Sequence, residues 1–333
     1  MTRFRSLTRR QQAAAALLLC VLLGVGVYFG AGFIAYQDLS AVRAHCAGTT
    51  HASDTPADFT INDSAASPQP DVAPYRFTDA TEVSFPARGD DLTIRAWYAP
   101  PREPGGPVVI LVHGFNACRR DWNVLLPAGM LHRAGFGVLL PDLRNHGESD
   151  SDGGRWAGGA KEYRDVLGAW DWLVEGGVPP SRIGIFGMSL GAATVVIATG
   201  EEPRVAATWA DSSYDSFAMA AAEYAEQRGY PGWVVDPAVL IGRRLGDPEL
   251  AVRDPSEELA HLAGRPLFIV QGTADTIVLP HNATDLAADA LAGGTAVEPW
   301  LVSGAGHTES MLLAMDAYRD RLIAFFSGAI GAP

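Results

Sequence analysis

Cysteine is scarce in this 333-residue sequence, and its scarcity excludes two kinds of site. The three cysteines are Cys20, Cys46 and Cys118, and no Cys-x-x-Cys pair is present. A disulfide framework needs more cysteines, and a zinc site needs closer spacing. One pairing stays open: Cys46 and Cys118 could be joined if the protein's body lies outside the cytoplasm.

Basic residues are also few, since 25 Lys and Arg stand against 38 Asp and Glu and give a net charge of −13. Several of the basic residues lie in the first ten positions: Arg3, Arg5, Arg9 and Arg10. An acidic body repels phosphate backbones, so we expect no nucleic-acid partner. The sequence also lacks a Walker loop, a dinucleotide fingerprint and a His-Glu-x-x-His motif, so we expect no cofactor and no metal.

Charge is absent from residues 13–36, a run of 24 residues. A helix of this length crosses a hydrocarbon core of about 30 Å. Because secretory signals have shorter apolar segments of about 7–15 residues, an uncleaved signal anchor is predicted. Cleavage near Val42-Arg43-Ala44 is the alternative. The arginines before the run place residues 1–12 in the cytoplasm and the rest of the chain on the other side of the membrane.

After the anchor, residues 37–80 are rich in Ala, Ser, Thr, Pro and Asp. This composition predicts a stalk, of which at most a part packs on the folded domain. Residues 81–329 then alternate short apolar runs with helical patterns, which predicts a doubly wound, mostly parallel, eight-stranded α/β sheet that begins with an antiparallel hairpin. The predicted strands cover residues 81–85, 92–98, 108–112, 137–140, 182–186, 205–209, 267–270 and 298–302. The predicted helices cover residues 121–134, 161–175, 190–199, 282–291 and 309–326. Residues 216–262 are too long for a connection and predict a lid.

The strongest chemical signal is Gly187-Met188-Ser189-Leu190-Gly191, which lies between a predicted strand and a predicted helix. A sharp turn there presents the Ser189 hydroxyl above the edge of the sheet, as a nucleophile requires. The alternative is an ordinary turn flanked by glycines.

A serine nucleophile needs a base that is oriented by an acid. His307 follows the last predicted strand in a glycine-rich loop, and it is the predicted base. Asp275 follows the strand before that, at the same edge of the sheet, and is the predicted acid. Asp211 is its rival.

An acyl-transfer site also needs backbone N–H groups that point at an oxyanion, and the predicted donors are those of Phe115 and Leu190. The expected lining of a substrate pocket is Phe115, Met188, Phe217 and Trp233. The polar segment from Asp142 to Ser149 is interpreted as a hydrogen-bonded turn rather than a substrate loop. The tryptophans Trp156, Trp170 and Trp172 are interpreted as helix packing.

Together these motifs resemble the α/β-hydrolase superfamily from about residue 81 to 326, and more finely its serine-aminopeptidase-like and Bem46-like members. The resemblance is carried by the following motifs: His113-Gly114, Asp142-x-Arg144-x-His146-Gly147-x-Ser149, Gly187-x-Ser189-x-Gly191, Gly272-x-x-Asp275 and Gly306-His307. It implies hydrolysis of an ester, thioester or amide through an acyl-enzyme on Ser189, with no metal or cofactor.

Two further classes of function stay open beside a carboxylic-ester hydrolase that acts on an acyl or lipid-like substrate. The first is an aminopeptidase or acylpeptide hydrolase, in which Glu223 and Glu226 would bind the free α-amine of a peptide. The second is a membrane-tethered binding protein without catalysis. The sequence assigns neither the acyl chain, the leaving group nor the oligomeric state.

Overall fold

The computed structural model describes residues 8–43, 46, 53–61 and 69–333. The terminal Arg3 and Arg5, and Ala44 of the alternative cleavage site, lie outside the described residues. Much of the predicted stalk does so too, including its histidines at positions 45 and 51.

Eight strands form one sheet in the order β1-β2-β4-β3-β5-β6-β7-β8. Strands β1 and β2 form an antiparallel hairpin, β2 pairs with β4 in antiparallel fashion, and all other pairs are parallel. The strands are β1 (Thr81–Pro86), β2 (Thr93–Ala99), β3 (Val108–Val112), β4 (Gly137–Pro141), β5 (Ile183–Met188), β6 (Ala207–Asp211), β7 (Leu267–Gly272) and β8 (Trp300–Val302). The predicted sheet and its opening hairpin are therefore confirmed, with strand ends that differ by a few residues.

Helices cover both faces of the sheet, as continuous apolar strands require. On one face, α2 (Trp122–Ala134) and α10 (Met315–Ile330) share a core cluster. On the other face, α3 (Tyr163–Glu175) and α4 (Leu190–Glu201) share a second cluster. Helix α8 (His281–Ala292) packs with α4 in a further cluster.

The predicted helix over residues 309–326 is wrong in one respect. It is two helices, α9 (Ser310–Leu313) and α10, and α10 continues to Ile330. Ala314 lies between them with φ −125° and ψ 40°, outside the helical region, and so interrupts the run of helical hydrogen bonds.

The region predicted as a lid carries its own helices: α5 (Phe217–Gln227), a 3₁₀ turn (Gly232–Val234), α6 (Val235–Leu245) and α7 (Pro255–Leu259). Side chains of α5 and α6 lie over the carboxyl end of the parallel strands, where they enclose a cavity together with Ser189.

The N-terminal helix α1 covers Arg9–Leu39 and continues past the predicted span at residue 36. It is long and apolar enough to cross a membrane. Residues 9–30 are exposed, whereas Gly32, Ala35 and Tyr36 are buried. The last turns of α1 therefore lie against the folded body, chiefly against α6.

Parts of the predicted stalk also pack on the body. Phe59, Tyr75 and Phe77 are buried in the same cluster as α2. Cys46 and Cys118 form a disulfide with Cα atoms 6.1 Å apart, which joins the segment after α1 to the loop after β3. The folded unit thus begins well before residue 81.

The segment from Asp142 to Ser149 forms a turn held by hydrogen bonds. The Asp142 carboxylate accepts from the N–H groups of Arg119 at 2.8 Å and Glu148 at 3.0 Å. Gly147 has φ +52°, and a Cβ atom there would lie 2.2 Å from the same carboxylate. Arg144 is buried and donates to the buried carboxylate of Asp165 at 2.7 Å. These contacts favour the structural interpretation of this segment.

Replacing Arg144 with alanine would leave Asp165 as a buried charge without its cation. We expect the free energy of unfolding to fall by about 3–5 kcal/mol. Chemical denaturation of the full chain in detergent, followed by tryptophan fluorescence, measures this loss. The control is Arg182→Ala, which removes an exposed arginine bonded to the carbonyl of Gly105 at 2.9 Å. If the two variants lose the same stability, the buried ion pair does not hold this part of the fold.

Candidate active site

Ser189 occupies the sharp turn between β5 and α4. Its φ of 54° and ψ of −123° are rare for a residue with a side chain and indicate backbone strain. The flanking glycines permit this conformation. A Cβ atom at Gly187 would lie 2.2 Å from the carbonyl oxygen of Gly191, and one at Gly191 would lie 2.4 Å from that of His113. The predicted turn thus depends on both glycines.

The structure brings the three predicted residues into one hydrogen-bonded chain. The Nε2 atom of His307 lies 2.8 Å from the Ser189 hydroxyl oxygen. The Nδ1 atom of His307 lies 2.8 Å from Oδ2 of Asp275. His307 follows β8 and Asp275 follows β7, so the carboxyl edge of the parallel sheet positions both side chains beside Ser189.

Further donors fix the Asp275 carboxylate. Its Oδ1 accepts from the N–H groups of Ile277 at 2.8 Å and Val278 at 3.0 Å. Its Oδ2 accepts from the Gln271 amide at 2.8 Å in addition to His307. The carboxylate is buried while His307 remains partly open to the cavity. This arrangement holds the imidazole ring in one orientation toward Ser189.

Asp211, the rival acid, lies elsewhere in the network. Its carboxylate accepts from the Tyr318 hydroxyl at 2.6 Å and from the Ser212 hydroxyl at 2.9 Å. Burial raises the pKa of Asp211 to about 6. The hydrogen bond of His307 Nδ1 runs to Asp275 and not to Asp211.

The residues that carry the predicted oxyanion donors lie near Ser189. Gly114 approaches closely, since a Cβ atom there would lie 3.2 Å from Cβ of Ser189. Leu190 is the first residue of α4, and helix start positions leave their N–H groups free. Phe115 and Leu190 both line the cavity next to Ser189.

His113 holds the turn that carries Phe115. Its Nδ1 lies 2.8 Å from the carbonyl oxygen of Gly114, and its Nε2 accepts from the N–H of Leu143 at 2.9 Å. Burial lowers the pKa of His113 to about 4, so the ring is neutral at pH 7 and can accept at one nitrogen while donating at the other.

A cavity of about 330 Å³ opens beside Ser189 and His307. Its walls are mostly apolar and come from α1, the loop after β3, the segment before α3, α5, α6 and the loop after β7. Phe115 and Phe217 are among the lining residues, in line with the expected pocket.

Met188 and Trp233 do not line this cavity. Met188 is fully buried in the core cluster with Phe186, because the alternation of side chains along β5 turns it toward α10. Trp233 is about half exposed, and its ring stacks on that of Tyr28 with centroids 5.7 Å apart.

Sequence reasoning missed several parts of the wall, and two of them are Trp156 and the end of α1. Trp156, interpreted as helix packing, lies with its ring 4.7 Å from that of Phe115 and 5.4 Å from that of Phe217. The other part is the end of α1, which contributes Ala35, Tyr36, Leu39 and Ser40. In an apolar helix long enough to cross a membrane, no sequence signal distinguishes a residue that faces a cavity from one that is exposed.

Comparison with known proteins gives the family. The family model for the alpha/beta hydrolase fold matches residues 107–238. An uncharacterized protein of Mycobacterium tuberculosis is 32% identical over 243 residues, which cover 72% of this chain and 76% of the relative. The structure of an esterase from Pyrococcus furiosus has the same fold, with a TM-score of 0.61 at 21% identity over 76% of this chain and 92% of the esterase.

A thiohydrolase of Aspergillus aculeatus is 33% identical over 106 residues, which cover 31% of this chain. The chain spans about a third of the length of this thiohydrolase and of two uncharacterized Escherichia coli relatives. The finer likeness to serine-aminopeptidase-like and Bem46-like members stays a prediction. The chain belongs to the α/β-hydrolase family.

Proposed function

We propose that this protein is a membrane-anchored serine hydrolase that cleaves carboxylic esters or thioesters with acyl or lipid-like chains. The observation that carries the proposal is the hydrogen-bonded chain from Ser189 through His307 to Asp275 at the wall of an apolar cavity. Along the chain the nucleophile is followed by the acid and then by the base, which is the order that this fold uses.

In the first step, His307 Nε2 accepts the proton of the Ser189 hydroxyl as its oxygen attacks the acyl carbon. The 2.8 Å separation is within hydrogen-bond reach. Asp275 keeps the Nδ1–H tautomer and stabilises the imidazolium that forms. The tetrahedral oxyanion is stabilised by the N–H groups of Phe115 and Leu190, and one such donor contributes about 3–4 kcal/mol to the transition state.

In the second step, the His307 imidazolium returns its proton to the leaving alcohol or thiol, and the acyl group stays on Ser189. A water molecule, deprotonated by the same imidazole, then attacks the acyl-enzyme. The imidazolium returns that proton to the Ser189 oxygen as the carboxylic acid is released. No redox step and no additional reactant besides water is required.

The lining of the cavity favours an acyl chain over a peptide amine. Among the described residues, the cavity is lined by no Asp or Glu. Glu223, suggested as an amine ligand, instead accepts a 2.7 Å hydrogen bond from His281. Glu226 also lies outside the lining. These positions support an ester or thioester substrate over an aminopeptidase substrate, and the partial match to a thiohydrolase is consistent with a thioester.

The anchor helix and the disulfide support a body on the extracytoplasmic side. Arg9 and Arg10 begin α1, and positive residues favour the cytoplasmic side. The Cys46–Cys118 disulfide fits an oxidising compartment on the far side of the membrane.

Replacing Ser189 with alanine removes the proposed nucleophile. We expect the full chain in detergent to react covalently with a fluorophosphonate probe, and Ser189→Ala to lose this labelling together with at least about 10⁴-fold of its kcat on nitrophenyl esters. Ser181→Ala, an exposed serine outside the cavity, is the matched control and should label like the wild type. A folded wild type that neither labels nor cleaves esters would favour the binding-protein alternative.

Exchanging each candidate acid for its amide separates their roles. Asp275→Asn keeps the shape but loses the charge that stabilises the imidazolium and the tautomer that leaves Nε2 free, so kcat should fall by about 10⁴-fold. Asp211→Asn preserves a partner for Tyr318 and should lower kcat by less than about tenfold. Steady-state ester hydrolysis decides between them, and the reverse ranking would assign the acid role to Asp211.

A further inference from the structure

We propose that the last turns of the anchor helix are a wall of the acyl cavity and set which acyl chains fit it. Ala35, Tyr36 and Leu39 of α1 line the same cavity as Ser189 and His307. The inference rests on the proposed hydrolase function and deepens it: the membrane anchor is a specificity-determining part of the site as well as a tether.

The helix and the lid are in close contact beside the cavity. A Cβ atom at Gly32 of α1 would lie 2.6 Å from Cβ of Pro237 in α6. Tyr36 of α1 packs against the backbone at Gly242 and Gly246, because a Cβ atom at Gly242 would overlap its ring and one at Gly246 would overlap its hydroxyl. Small residues at these points allow the backbones to approach closely. This close approach is typical of a packed protein interior.

Hydrogen bonds hold the end of the helix beside the cavity mouth. Arg155 donates to the Ser40 hydroxyl oxygen at 2.8 Å, and its guanidinium lies 4.5 Å from the centre of the Tyr36 ring. The indole N–H of Trp156, itself a cavity residue, donates to the carbonyl of Leu39 at 2.9 Å. The main chain of α1 is therefore fixed relative to the side chains that complete the wall.

The chain just after the helix is tied to the loop that carries Phe115. The N–H of Arg43 donates to the Asn116 side chain at 2.7 Å, and Cys46 is bonded to Cys118. Two residues that follow the proposed oxyanion donor Phe115, namely Asn116 and Cys118, thus bind the segment after α1. A tether that served only to hold the protein at a membrane would need none of these contacts.

The exposed part of α1 is long enough to span a membrane without the residues that line the cavity. The 18 residues from Ala13 to Gly30 would extend about 27 Å as a helix, close to the thickness of a hydrocarbon core. The buried turns that follow are then left for the cavity, which lies at the membrane surface next to the source of acyl chains.

The test makes the side chains of the α1 wall larger or smaller and measures how kcat/KM depends on the length of the acyl chain. The full chain in detergent is assayed with nitrophenyl esters of two to twelve acyl carbons. Ala35→Phe fills the cavity and should lower the ratio of kcat/KM for long over short chains at least about tenfold, because each buried methylene is worth about fourfold. Leu39→Ala enlarges the cavity and should shift the preferred chain toward greater length.

Matched substitutions on the exposed part of the same helix serve as controls. Ala16→Phe and Leu23→Ala face away from the body and should keep the wild-type profile. Labelling by a small fluorophosphonate reports that Ser189 is intact in every variant. If Ala35→Phe does not label, Leu39→Ala, which only removes atoms, decides the question.

The outcomes separate this inference from the function on which it rests. A wild type that neither labels nor cleaves any ester overturns the hydrolase proposal itself. If the wild type cleaves esters and the chain-length profiles of Ala35→Phe and Leu39→Ala are identical to its own, only the proposal that α1 sets the acyl-chain preference is overturned. A profile that moves equally in the exposed-helix controls also overturns it, because the effect would then come from the membrane segment in general.

Discussion

The backbone turn at Ser189 is the constraint on which the rest of the site depends. A residue with a side chain at φ 54° is strained, and the close contacts of Gly187 and Gly191 hold it there. The N–H of Ser189 donates to the carbonyl of Asp211 at 2.8 Å, which anchors the turn to β6. Once the hydroxyl is fixed above the sheet edge, the loops after β7 and β8 have only to deliver one carboxylate and one imidazole to it.

The loop that carries Phe115 is held from two sides, and each side uses a different interaction. On the inner side, His113 accepts from Leu143, and the N–H of Arg119 donates to Asp142. The turn that follows β4 therefore supports the proposed oxyanion donor without touching the cavity. On the outer side, the disulfide at Cys118 and the bond from Arg43 to Asn116 attach the anchor segment. A donor held on both sides needs little reorganisation when charge develops on the substrate.

The sequence predicted those features that depend on local pattern, and it missed those that depend on distant packing. Ser189, His307 and Asp275 follow strands, and the carboxyl ends of parallel strands meet at one edge, so their proximity could be expected. Met188 neighbours Ser189 and was expected in the pocket, but the period of two along a strand directs its side chain into the core cluster that contains Phe186. Trp156 and the α1 residues reach the cavity only through the path of the whole chain. Composition predicted that α1 is apolar, and it carried no information on which of its turns contact α6 and which are exposed.

The contacts of α1 also bear on whether the chain is cleaved after the anchor. Cleavage near residues 42–44 would cut the peptide link between Leu39 and Cys46, while the disulfide would keep Cys46 on the body. The helix would then be held by noncovalent contacts alone. In a membrane, lipid would compete with the lid for the apolar surface of α1. Loss of α1 would uncover Ala238 and Leu250, which line the cavity beside Tyr36, and would open one wall to water. An uncleaved chain keeps this wall covered, because the covalent link keeps the effective concentration of the helix next to the lid high. The packing of Tyr36 against Gly242 and Gly246 is therefore consistent with the proposed uncleaved anchor.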